Sequence, residues 1–147
     1  LKKYTIDVAE GGEKAITYRL EFPSSDKIKY NFIGIYDGDM RERLDTSKLN
    51  WKWLFLPGNK ALEELYREYL HVPENLEKFC EIVGKEKKQI ITMLATIDGN
   101  DYHDWFEELR KFLGIDGKML VRNFYRIMQE MDKEIEEFIA ELKKSIA

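Results

Sequence analysis

Cysteine occurs once in this 147-residue chain, at Cys80, and histidine twice, at His71 and His103. A single thiol excludes an internal disulfide and any paired-cysteine metal site, and a reducing cytoplasm is the expected setting. Two histidines and one cysteine would need carboxylates to complete a zinc site, and the sequence does not suggest where they would come from. No apolar run approaches the roughly eighteen residues of a membrane span, so a membrane partner is not expected. The opening LKKYTIDV lacks the apolar core of a signal peptide. No serine stands in a nucleophile-elbow context and the glycines form no phosphate-binding loop, so neither a catalytic residue nor a cofactor is expected.

What the chain has in quantity is charge. Charged residues reach 35% while glutamine appears only at Gln89 and Gln129, a bias of the kind found in proteins of hyperthermophiles. The net charge of −4 argues against non-specific coating of nucleic acid. Its distribution is uneven: residues 1–58 carry ten basic and nine acidic side chains, and residues 59–147 carry fourteen basic and nineteen acidic. A nucleic-acid partner would therefore be met by a local patch.

Period-two alternation dominates the first third. Tyr4, Ile6 and Val8 alternate with polar neighbours, Gly11-Gly12 breaks the chain, and Ile16, Tyr18, Leu20 and Phe22 alternate again, which predicts a hairpin. A third strand is expected over Ile28–Tyr36 and a fourth over Trp51–Phe55, ended by Pro57-Gly58. From Asn59 the period becomes helical, with Asn59 as expected N-cap and Leu62, Leu65, Tyr66, Tyr69 and Leu70 as stripe. Pro73 opens a second helix, and Gly84 ends it. A third carries Ile90, Met93, Leu94 and Ile97, and a fourth ends at Gly114. The last helix is expected to run unbroken from Asp116 to Ile146, with a heptad-like seam from Val121 through Phe124, Met128, Met131, Ile135 and Phe138 to Leu142, suited to homodimer formation. The short echo between Glu63-Glu64-Leu65 and Glu107-Glu108-Leu109 is too brief to define a repeat. The expected fold is α+β: an N-terminal antiparallel β-meander of three to four strands in 1–57, then about five helices in 58–147.

One stretch suggests a specific task. In Leu76–Leu94, counting from Leu76, the fourth position is Phe79, the small fifth is Cys80, the eighth is Val83, the turn glycine is Gly84, and Ile90 and Met93 follow as buried positions. This segment resembles the helix-turn-helix of DNA-binding proteins. The resemblance implies that the helix Lys85–Ile97 enters the major groove of double-stranded DNA. Lys85, Lys87 and Lys88 would meet phosphates, while Gln89 and Thr92 would reach base edges. Two positions depart from the motif: Lys85 stands where an apolar residue is usual, and Ile91 falls on the face that would meet DNA, where it would contact a thymine methyl or be buried against another part of the protein. The competing expectation is a plain helical hairpin in a protein-interaction module. A third is a metal-dependent nuclease, because Asp37 and Asp39 could share Mg²⁺. Trp51, Trp53 and Tyr36, flanked by Lys29, Arg41, Arg43 and Lys52, form the pattern of a stacking platform for single strands or of a sheet core.

Overall fold

The computed structural model describes residues 5, 7, 9–24, 30–128 and 133–147. Among them are seven α-helices, one 3-10 helix and two short strands. The chain divides into two compact units, one formed by 1–59 with 136–147 and the other by 60–135.

The first unit overturns the antiparallel meander. Residues Gly12–Glu21 form helix α1, while the strands are only β1 (Ile33–Tyr36) and β2 (Lys52–Phe55). Ile16 and Leu20 satisfy both periodicities, since four residues apart is one helical turn as well as two strand repeats. The helix wins because Ile16 and Leu20 then share a face, and Leu20 is buried while Tyr18 and Phe22 are 65% and 51% exposed. Gly34 accepts that face: a Cβ there would lie 2.5 Å from Leu20 Cδ1 and 2.9 Å from Ile16 Cγ2. Tyr4, Ile6, Val8 and Ile28 lie outside the described residues.

The two strands pair in parallel, Ile33 opposite Lys52 and Tyr36 opposite Phe55. Antiparallel neighbours can be joined by a tight turn, whereas parallel ones need a crossover of about a dozen residues or more. Residues 37–51 make it, through a 3-10 helix at Gly38–Glu42. The end of that crossover is fastened to the exit of α1. Asn50 N–H donates to the Leu20 carbonyl at 2.8 Å, Asn50 Nδ2 to Glu21 at 2.8 Å and Trp51 Nε1 to Phe22 at 2.8 Å. These donors satisfy carbonyls that a helix end leaves without intrahelical partners. They also set Trp51 edge-on against Phe32, centroids 5.2 Å apart, so the start of β2 stands beside the start of β1.

The second unit holds five helices: α2 (Leu62–Leu70), α3 (Pro73–Val83), α4 (Lys87–Ile97), α5 (Tyr102–Leu113) and α6 (Gly117–Met128). α2, α4 and α5 follow the apolar stripes of the sequence. α2 is preceded by Ala61 as its N-cap rather than Asn59, and α5 is capped by Asp101, whose side chain accepts from His103 N–H. The core joins Tyr66, Phe79, Ile90, Leu94, Trp105, Leu109, Leu120 and Phe124 in one cluster. The expected single helix from Asp116 to Ile146 is represented by α6 and by α7 (Lys133–Ile146); residues 129–132 lie outside those described. Phe124, one residue of the anticipated dimer seam, is wholly buried in its own unit.

A repetition absent from the short tripeptide echo emerges here. The hairpins α3–α4 and α5–α6 are two versions of one design, offset by thirty residues as Gly84 and Gly114 show. Both glycines adopt the left-handed conformation, with φ of 66° and 67°. After each, the next N–H bonds the carbonyl five residues back, Lys85 to Cys80 at 3.2 Å and Ile115 to Arg110 at 3.3 Å, the closure of a Schellman motif. Glu86 pairs with Asp116 as the acid before the second helix. Phe79 corresponds to Leu109, Ile90 to Leu120, Leu94 to Phe124 and Ile97 to Ile127, all buried.

Candidate nucleic-acid interface

The α3–α4 hairpin is built as its sequence implies. Pro73 occupies the first turn of α3, where its missing N–H costs nothing. Gly84 turns the chain, and α4 resumes at Lys87 with Gln89 and Ile90 N–H groups donating to the Glu86 carbonyl. Ile90, Leu94 and Ile97 anchor α4 inwards and Met93 is half-buried. The opposite side therefore faces outwards and carries Lys87, Lys88, Gln89, Ile91 and Thr92, with Lys85 exposed just before it.

These residues share a surface but are not equally free. Lys87 Nζ sits 2.5 Å from Glu77 Oε1 of α3. Lys85 places its ammonium over the Phe112 ring at 5.9 Å from the centroid, a cation–π contact that holds it against α5. Thr92 donates its hydroxyl to the Lys88 carbonyl at 2.9 Å, one turn back. The Lys88 ammonium makes no ion pair among the described residues, and Ile91 is 48% exposed. A shallow groove of about 410 Å³ runs between α4 and α5, lined by Glu86, Lys88, Gln89, Thr92, Met93, Thr96 and Phe112. It opens onto both polar side chains and an aromatic ring.

Behind this face lies Cys80, buried at the crossing of α3 with its neighbours. Burial pushes its thiol above the ordinary range, more than the Lys87 charge draws it down. That makes it the small packing residue the hairpin requires, not a nucleophile.

The other motifs resolve differently. Asp39 is held by Arg43 one turn away, and no group of three or more potential metal-ligating side chains occurs among the described residues. His71 pairs with Asp98 at 3.3 Å and His103 with Glu63 at 3.6 Å, in separate places. Tyr36 is buried, with its hydroxyl 3.0 Å from Thr17, and the Trp51 indole is spent on Phe22. Arg41 reaches the Leu56 and Gly58 carbonyls and covers the Phe55 ring at 5.1 Å. Tyr36 and Trp51 thus work in packing, and Lys29 lies outside the described residues.

Sequence reasoning passed over the outer face of α6, where Lys118, Arg122 and Arg126 are all exposed. Its signal was legible: basic residues four apart on a helix that contains no acid. No described helix is long and apolar enough to cross a membrane. No family model, curated protein or solved structure matches this chain.

Proposed function

We propose that this protein is a small, non-enzymatic DNA-binding protein that acts in the cytoplasm and presents α4 to the major groove of a duplex. The observation that carries this reading is the division of α4 into two faces. Ile90, Leu94 and Ile97 are buried, while Lys88, Gln89, Ile91 and Thr92 stand together outside. Those four supply a phosphate contact, two polar groups for base edges and a branched apolar group for a thymine methyl, which is what groove readout uses. Lys87 would exchange Glu77 for phosphate on binding, and Lys85 would add a third backbone contact at the edge.

The test is fluorescence anisotropy with labelled duplex over a range of salt. A linear fall of log affinity with log salt is expected. Lys87→Glu with Lys88→Glu abolishes binding at low salt on this reading, and unchanged retention overturns it.

A protein-interaction role is the alternative, favoured by α7. Ile135, Phe138, Ile139 and Leu142 form an apolar stripe on α7 of which no residue is fully buried. Pairing of two copies along it would give the homodimer suggested by the heptad spacing. A solution mass equal to that of one chain removes the dimer.

A further inference from the structure

We infer that the second hairpin carries the main electrostatic contact: the outer face of α6 binds the phosphate backbone of duplex DNA through Lys118, Arg122 and Arg126. This rests on the DNA-binding reading and deepens it, assigning most of the backbone affinity to α6 and base readout to α4.

Three observations support it. The first is spacing. The three cations recur every fourth residue, and all are exposed. At 1.5 Å per residue they form a row about 12 Å long on one side of the helix. The second is charge. α6 contains these three basic residues and no acid, and none of the three forms an ion pair among the described residues. By contrast, α5 neutralises both its cations on the helix itself, Arg110 with Glu107 at 2.7 Å and Lys111 with Glu108 at 2.8 Å. Glu63 is the acid that lines the groove beside Lys118 and Arg122, and it stands 3.6 Å from His103 Nδ1. The third is correspondence. In the thirty-residue offset between the hairpins, Lys118 takes the place of Lys88, Arg122 that of Thr92 and Arg126 that of Thr96, so the same outer face becomes uniformly cationic.

The occupant follows from the rigidity of this row. Leu120, Phe124 and Ile127 fix the opposite side of α6 in the core, so the three cations are held in one row. A stiff polyanion with regularly spaced phosphates, the duplex backbone, is complementary to them, and arginine suits phosphate through its forked donors. Val121 and Tyr125, 37% and 41% exposed between the cations, add contact with sugar edges.

The experiment compares the wild type with four variants by anisotropy with a labelled 30-base-pair duplex between 50 and 300 mM salt. In the first variant Lys118, Arg122 and Arg126 become Gln. In the second, Lys48, Lys143 and Lys144 become Gln, an equal change of net charge elsewhere. The third is Lys88→Gln, Gln89→Ala and Thr92→Ala. The α6 variant is expected to bind at least tenfold more weakly at 100 mM salt, with a log–log slope shallower by about 2.7, or about 0.9 per lost phosphate contact. Arg122→Lys with Arg126→Lys, which keeps the charge, is expected to restore most of the slope, and circular dichroism melts check that each variant is folded. Wild-type affinity in the α6 variant, or an equal loss in the second variant, overturns the inference. Tighter binding of a single strand, or equal competition by polyglutamate or anionic vesicles, overturns the duplex assignment. If the α4 variant alone loses binding, the DNA-binding reading stands and this inference fails. If the α6 variant alone loses binding, the inference stands and groove insertion by α4 fails. Absence of duplex binding at 50 mM salt in the wild type overturns both.

Discussion

Tyr66 and Phe124 lie face to face, their ring centroids 4.2 Å apart and their planes within 4° of parallel. Phe79 also stacks on Phe124, with ring centroids 5.0 Å apart, and the Tyr69 hydroxyl donates to the Ile127 carbonyl at 3.2 Å. This seam ties α2 and α3 to α6 and keeps the basic row of α6 turned outwards.

Replacing Phe124 by Ala is expected to destabilise the helical unit by about 3–5 kcal/mol, the usual cost of truncating a buried aromatic. Phe124→Leu should lose less, because more of the volume is retained. Urea denaturation followed by far-ultraviolet circular dichroism measures both, and a loss under about 1 kcal/mol for Phe124→Ala would show that the stack is dispensable.

Gly84→Ala and Gly114→Ala place a side chain on left-handed backbone, which costs roughly 1–2 kcal/mol for an ordinary residue. A Cβ at either position would meet nothing within 4 Å, so the penalty is conformational and not steric. Similar losses are expected at the two turns, and a double variant should show their sum. Strongly unequal losses would contradict the equivalence of the two hairpins.

The Cys80 thiol should resist modification. Burial holds it protonated above the ordinary thiol range, and the thiolate is the species that reacts. At pH 8 its rate with a disulfide reagent is expected to fall at least tenfold below that of the urea-unfolded chain, where the group is free to ionise. Equal rates folded and unfolded would place the thiol at the surface.

Alkaline pH should loosen the first unit through Tyr36. Thr17 gives its hydroxyl proton to the Glu13 carbonyl at 2.7 Å, so Tyr36 donates to Thr17 across 3.0 Å. Burial raises the Tyr36 phenol above its ordinary value near 10. A raised folded value means that the stabilisation is complete below pH 10 and is lost as pH rises through the folded value. Thermal melts between pH 9 and 11 should therefore fall more steeply for the wild type than for Tyr36→Phe, and parallel curves would remove Tyr36 as the cause.

The helical unit was legible because its signals are local and agree: Pro73 at a start, Gly84 and Gly114 at stops, and stripes at 3.6 spacing between them. The outward placement of Lys85, Lys87, Lys88, Gln89 and Thr92 followed from the same stripe. The pairing of Lys87 with Glu77 did not, since it joins residues of two helices whose crossing no periodicity encodes. α1 was misread because Ile16 and Leu20 fit two periods, and the tie-breaker, Gly34, lies far along the chain. Strand direction depended on Asn50 and Trp51 reaching α1, a contact between distant residues. The row on α6 was hidden by the heptad seam, which drew attention to the apolar side of the same helix.

The division of the chain also bears on the order in which it is built. The helical unit is one uninterrupted segment, 60–135, whereas the other unit needs both 1–59 and 136–147. During synthesis domains fold as their residues emerge, so the helical unit can close while the first fifty-nine residues still wait for the last twelve.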